Sequence, residues 1–131
     1  MIIDLNFDND EIYFLLVDVC QEYGVDPSSS LEVEDFFRQL LTKYMGTLDL
    51  KELTLWLHEK ISQHFLAIDV RPKWIQGAQW PIVDGTPMVF VAQINLSVQS
   101  QEIASEFFHD DTSLYVFIGK KIPPKVIVQQ Y

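Results

Sequence analysis

Residues 9 to 23 repeat apolar side chains at helical spacing, with Ile12, Leu15, Leu16, Val19, Cys20 and Tyr23 on one stripe and Glu11, Asp18 and Glu22 on another. Tyr13, Phe14 and Val17 widen the apolar side, which predicts a helix that touches more than one neighbour and sits centrally in a helical layer. Gly24 ends it. A second helix is predicted over residues 30 to 45, with Val33, Phe36, Phe37, Leu40, Leu41 and Tyr44 facing the core, Glu34 and Arg38 paired one turn apart, and Gly46 as its stop. A third, over residues 50 to 67, carries Leu50, Leu53, Leu57, Ile61, His64, Phe65 and, past its end, Ile68 in register. Each start places a capping oxygen three residues before a Glu: Asp8 before Glu11, Ser29 before Glu32 and Asp49 before Glu52. Phe7 with Ile12 and Leu48 with Leu53 stand as hydrophobic staples around the first and third caps.

From Val70 the period changes to two. Residues 70 to 75 read as a short edge strand. The longest alternating run is residues 88 to 96, where Met88, Phe90, Ala92, Ile94 and Leu96 share an apolar face opposite Val89, Val91, Gln93 and Asn95. Asp84-Gly85 before it suits a tight turn, and Pro81 and Pro87 limit the pairing, so this stretch is expected to be the central hairpin. Residues 113 to 118 and 125 to 130 read as further strands, separated by a turn too rich in proline for a central strand. Residues 97 to 105 are polar and ambiguous, with a short helix over 102 to 108 as the alternative to a loop. Helices first and strands after predict an α+β fold, three N-terminal helices packed on a C-terminal antiparallel sheet in a single domain spanning residues 1 to 131.

Pro72-Lys73-Trp74, Gln79-Trp80-Pro81, the run from Asp84-Gly85-Thr86-Pro87 through Ala92-Gln93-Ile94-Asn95-Leu96, and later Leu114-Tyr115-Val116-Phe117 resemble the core of the YwqG-like family of bacterial domains of unknown function. The similarity covers roughly residues 72 to 118. The resemblance implies a soluble bacterial protein without established catalysis, of a kind suspected in toxin-immunity neighbourhoods. It carries over no functional residue, because the shared positions are packing and turn residues.

The chain of 131 residues has the length of one ordinary domain, and its 48% hydrophobic content places it among globular sequences. No run approaches a membrane span, and the N-terminus lacks a basic segment with a long apolar one behind it, so the expected compartment is the cytosol. The net charge of −10 is unevenly placed: residues 1 to 70 hold 14 Asp and Glu against 4 Lys and Arg, and residues 71 to 131 hold 5 against 5. An acidic first half repels phosphate backbones and anionic lipids and attracts cationic surfaces. Nucleic acid and membrane are therefore poor partners and a basic protein a good one.

Catalytic chemistry finds little purchase. His58 and His64 are six residues apart and do not share a helical face, and His109-Asp110-Asp111 has the composition of a turn. His64, on the apolar stripe, reads as a core histidine donating to a carbonyl. Cys20 is alone and embedded in an apolar helix, which excludes an intramolecular disulfide and raises the thiol pKa. No phosphate-cradling glycine pattern and no nucleophile elbow occur, and the carboxylates Glu32, Glu34 and Asp35 suit the first turn of a helix. The expectation is no catalytic residue, no cofactor and no metal.

Three functional expectations follow. The first is a non-enzymatic protein-binding module, an acidic immunity or antitoxin-like inhibitor of a basic bacterial toxin, engaging through Asp8, Asp10, Glu11, Asp18, Glu22, Glu32 and Asp35. The second is a small ligand-binding or hydrolase-like domain using Trp74, Trp80, Gln93 and Asn95; the bland account of those amides is that they anchor a neighbouring loop. The third is an oligomeric accessory protein. Leu55 and Trp56 lie off the third helix's stripe, so they are covered by a neighbouring element or form a homodimer contact.

Overall fold

Side-chain oxygens of Asn9, Ser30 and Asp49 open three helices, α1 (Asp10–Gln21), α2 (Leu31–Thr42) and α3 (Leu50–His64), by accepting backbone N–H groups of the first turn. They lie in a computed structural model that describes residues 5–47, 49–96 and 112–130. Two of the expected caps are displaced by one residue. Asn9 rather than Asp8 accepts from Glu11 and Ile12, leaving Asp8 free to reach Arg38, and Ser30 rather than Ser29 accepts from Val33. At Asp49 the cap is as expected, but Glu52 receives the Thr47 hydroxyl instead of closing a capping box. The residue before the first cap pair, Phe7, packs edge-on against Tyr13 with ring centroids 5.3 Å apart.

Helix α1 ends in a Schellman turn. Gly24 N–H donates to Gln21 O and Val25 N–H to Cys20 O, with Gly24 at φ +76°, where a Cβ would be strained and would crowd Pro72 at 3.1 Å. Helix α2 stops at Thr42, with Lys43 as its cap, short of the expected Gly46. Helix α3 stops at His64, three residues early, because the chain then extends along the sheet: Phe90 N–H donates to Leu66 O and Ile68 N–H to Phe90 O. This bridge at Ala67 is the extended contact of the connection; no strand forms over residues 70 to 75.

The strands are β1 (Ile82–Val83), β2 (Thr86–Pro87), β3 (Val89–Leu96), β4 (Thr112–Gly119) and β5 (Ile122–Gln130). β1 and β2 form a small hairpin whose two loop residues, Asp84 and Gly85, both take positive φ (52° and 75°), as a type I′ turn requires. The main sheet is antiparallel in the order β3-β4-β5. β4 is therefore its central strand, and the run at residues 88 to 96, expected at the centre, forms one edge. β5 begins at Ile122, earlier than expected, since an edge strand tolerates Pro123 and Pro124.

A bulge between Phe90 and Ala92 decides which side chains face the helices. Phe90 pairs with Phe117, but beyond the extra residue Gln93 pairs with Tyr115 and Asn95 with Ser113. Opposed residues share a face. Phe90, Gln93 and Asn95 thus look inward, while Ala92, Ile94 and Leu96 turn to the outer face with Ile118, Val126 and Val128. The expected single apolar face is split: Met88 and Phe90 are buried, and Ile94 and Leu96 are 46% and 43% exposed.

The core joins helices to sheet through aromatic rings. Phe37 stacks on Phe65 at 5.5 Å, Phe65 meets Trp80 at 5.4 Å, and Trp80 meets Phe117 at 5.2 Å. Leu16, Val33, Leu53, Leu57 and Ile61 fill the helical layer, whereas Leu50, His64 and Ile68, expected on the third stripe, are exposed. The alternatives for residues 97–108, the turn at His109-Asp110-Asp111 and the Leu48 staple lie outside the described residues.

Candidate binding surface

The inner polar side chains of the sheet hold one loop. Lys73 N–H donates to Gln93 Oε1 at 2.8 Å and Gln93 Nε2 donates to Lys73 O at 3.1 Å. Tyr115 Oη also donates to Lys73 O, at 2.8 Å. Gln129, buried to 1% exposure, accepts the N–H groups of Ile75 and Gln76 and donates to Gly77 O and to Gln79. Asn95 accepts from Ser113 at 2.6 Å and from Gln93 at 3.0 Å. The bland account therefore describes Gln93, which anchors the loop with both its oxygen and its nitrogen, and the Asn95 oxygen is taken up by Gln93 and Ser113.

Nor do the two tryptophans form one surface. Trp80 is buried, with Nε1 donating to Met88 O at 2.8 Å. Trp74 is half-buried, stacked on Tyr115 at 4.3 Å, and its Nε1 donates to Gly24 O at 2.7 Å, tying the anchored loop to the end of α1. His64 is exposed and edge-on to Phe36 at 5.4 Å, a correction to its expected place in the core; desolvation, then the charges of Lys43 and Lys60, push its pKa down. His58 Nδ1 lies 3.0 Å from Tyr23 Oη and 3.5 Å from Glu22. The Cys20 thiol is fully buried and its pKa is raised by burial, then by Asp26. Among the described residues no three His, Cys, Asp or Glu side chains are grouped as a metal ion would need, and no helix is long and apolar enough to cross a membrane.

Asp8, Asp10, Glu11, Asp18, Glu22, Glu32 and Asp35 are all exposed. They do not act as one set. Asp8 is engaged with Arg38, whose guanidinium also meets Glu34 at 2.7 Å and lies over the Phe7 ring. Glu32 and Asp35 sit on α2. On α1, residues turn by about 100° each, so Glu11, Asp18 and Glu22 fall within about 40° of one another. Among the described residues, neither Glu11 nor Asp18 takes part in an ion pair.

Beside that stripe lies a groove of about 640 Å³ between α1 and the anchored loop, lined by Tyr13, Phe14, Val17, Pro27, Pro72 and Trp74 among others. Phe14 was expected to contribute to a helix covered on several sides; it is 64% exposed. Its position off the Ile12-Leu16-Val19 stripe was the available signal, but the opposing wall comes from residues some 60 positions later. Elsewhere, Leu55 is 71% exposed and Met45 94% exposed, whereas Trp56 is half-buried against Tyr44 at 5.1 Å.

No family model matches the chain, and neither a curated protein nor a solved structure does.

Proposed function

We propose that the protein is a non-enzymatic binding module whose acidic helical face captures a basic protein, as an immunity or antitoxin-like inhibitor captures a cationic effector. The observation that carries this reading is the exposed Glu11-Asp18-Glu22 stripe, where three carboxylates share one helical face and Glu11 and Asp18 are without a salt-bridge partner among the described residues. Asp18 and Glu22, one turn apart, repel one another in the free protein, and that repulsion is relieved when a cationic surface covers them. The field they add to a chain of net charge −10 accelerates encounter with such a surface.

The test compares capture from extracts of the native host by the wild-type chain and by the variant Glu11→Gln, Asp18→Asn, Glu22→Gln. One defined basic protein, retained at low salt, released at high salt and lost by the variant, supports the reading. A partner that contacts only the C-terminal half overturns it.

A second reading rests on the exposed Leu55 and Met45 side chains, which with the half-buried Trp56 line one shallow surface pocket suited to a homodimer contact. Sedimentation at high protein concentration tests it, and a monomer removes it.

A further inference from the structure

The groove beside the acidic stripe combines apolar walls with a carboxylate at its edge. Its walls are apolar and aromatic, from Phe14 and Val17 on α1 and from Pro27, Pro72 and Trp74 opposite. Among the described residues its titratable groups on the wall are Asp26 and the Tyr13 phenol, and no Lys or Arg lines it. Along α1, Phe14 lies about 40° from Asp18 around the helix axis, and Asp10 stands one turn before Phe14 on the groove side. An apolar trench bordered by carboxylates is complementary to one kind of occupant.

We infer that this groove binds a cationic amphipathic segment of a partner protein, one that seats an apolar side chain between Phe14 and Trp74 and sets Lys or Arg against Asp10, Asp18 and Asp26. The inference rests on the proposed capture of a basic protein and names where and how the contact is made. Charge complementarity selects the occupant. A neutral apolar peptide leaves the carboxylates unanswered, an anionic one is repelled, and a second copy of this chain brings its own acidic face to the same place.

The site is also pre-organised. Trp74 cannot swing freely, because its ring is stacked on Tyr115 and its indole N–H is bonded to Gly24 O at 2.7 Å. Across the groove, Tyr13 Oη and Ser28 Oγ are 2.7 Å apart, which fixes the turn bearing Asp26 and Pro27 to α1, and Asp26 accepts Ser28 N–H at 2.9 Å. A rigid aromatic wall loses little entropy when it is covered. Phe14 supplies the adaptable contact, and its exposure means that its replacement leaves the core intact.

The test uses the full chain and three synthetic helical peptides of equal length: one of Lys and Leu in amphipathic order, one with every Leu replaced by Ser, and one with every Lys replaced by Glu. Affinity is read by calorimetry at two salt concentrations, and the site by amide chemical shifts. The expected result is binding of the Lys/Leu peptide at least tenfold tighter than the other two, with shifts at residues 13–27 and 72–78. Phe14→Ser should weaken it about tenfold while the Asp10→Asn, Asp18→Asn variant flattens its salt dependence. Equal binding of the Lys/Ser peptide, insensitive to Phe14→Ser, overturns the groove and leaves the acidic-face reading standing. Binding of none of the three overturns both. Shifts confined to Met45, Leu55 and Trp56 place the contact elsewhere and overturn the groove alone.

Discussion

Gln93 and Lys73 close a two-point clamp, in which the side-chain amide of one both accepts from and donates to the backbone of the other, at 2.8 and 3.1 Å. The clamp starts a ladder of sheet side chains that holds residues 73–79 and, through Trp74, sets the far wall of the groove.

Loss of the clamp is expected to cost less than loss of the rung below it. Gln93→Ala strands the Lys73 N–H at an exposed site, where water compensates in part, while the Lys73 carbonyl keeps the Tyr115 hydroxyl, so about 1 kcal/mol is expected. Gln129→Leu strands the Gln76 N–H and the Gly77 carbonyl around a side chain 1% exposed, while the Ile75 N–H keeps the Tyr115 hydroxyl at 3.2 Å, and about 2 kcal/mol is expected. Ile94→Thr, on the outer face, should stay within about 0.5 kcal/mol. Denaturant unfolding of the three variants checks the order; a costly Ile94→Thr with a harmless Gln93→Ala would contradict the bulge.

Gly85 should resist substitution for conformational reasons alone. A Cβ there meets nothing within 4 Å among the described residues, yet the residue sits at φ +75°. Gly85→Ala is therefore expected to cost about 1 kcal/mol, the penalty of the left-handed region, and Gly85→Asn markedly less. Thermal unfolding of the pair separates this from a packing effect, which would penalise the larger Asn more.

The Cys20 thiol should be inert in the folded protein. It is fully buried and its ionisation is opposed by burial and by Asp26, so little thiolate is present at neutral pH. Labelling by an aromatic disulfide reagent is expected only at the rate of unfolding, accelerating with denaturant. Rapid labelling of native protein would mean that α1 opens locally.

The helices were legible because each repeats its apolar positions at 3.6 residues over several turns and starts at a side chain able to cap. The third stripe is shorter than its spacing suggests: Leu50 and His64 keep helical register but stay exposed, and Phe36 meets only the edge of the His64 ring. The sheet was legible in its strands and not in its order. Alternation says that residues 88 to 96 are extended; it does not say that β4 lies between them and β5, since pairing is set by tertiary contacts. Nor does alternation announce a bulge, and one extra residue at Val91 exchanges the faces of Ala92, Gln93, Ile94 and Asn95. The charged stripe of α1 was readable from spacing alone. The groove was not, because Phe14 and Trp74 are brought together only by the loop anchored on Gln93 and Gln129.

Arg38 links the start of α1 to α2 and makes the final prediction one of pH. Its guanidinium donates to both Asp8 oxygens, at 2.9 and 3.3 Å, and to Glu34 at 2.7 Å. The hydrogen bond from Arg38 is the largest influence on Asp8 and holds its carboxyl below the usual range, with desolvation opposing. A carboxylate whose folded pKa is depressed binds fewer protons folded than unfolded. Its contribution is thus fully present above the unfolded value of about 3.9 and is lost as pH falls through the folded value. Asp8 is exposed, so the effect is small and screened by salt. Carbon-detected titration should find Asp8 below an ordinary aspartate, returning to the ordinary value in Arg38→Gln, and high salt should narrow the difference. An unshifted Asp8 in the wild-type chain would show that Arg38 spends its charge on Glu34 and the Phe7 ring alone, and that the entry to α1 is held by Asn9 without it.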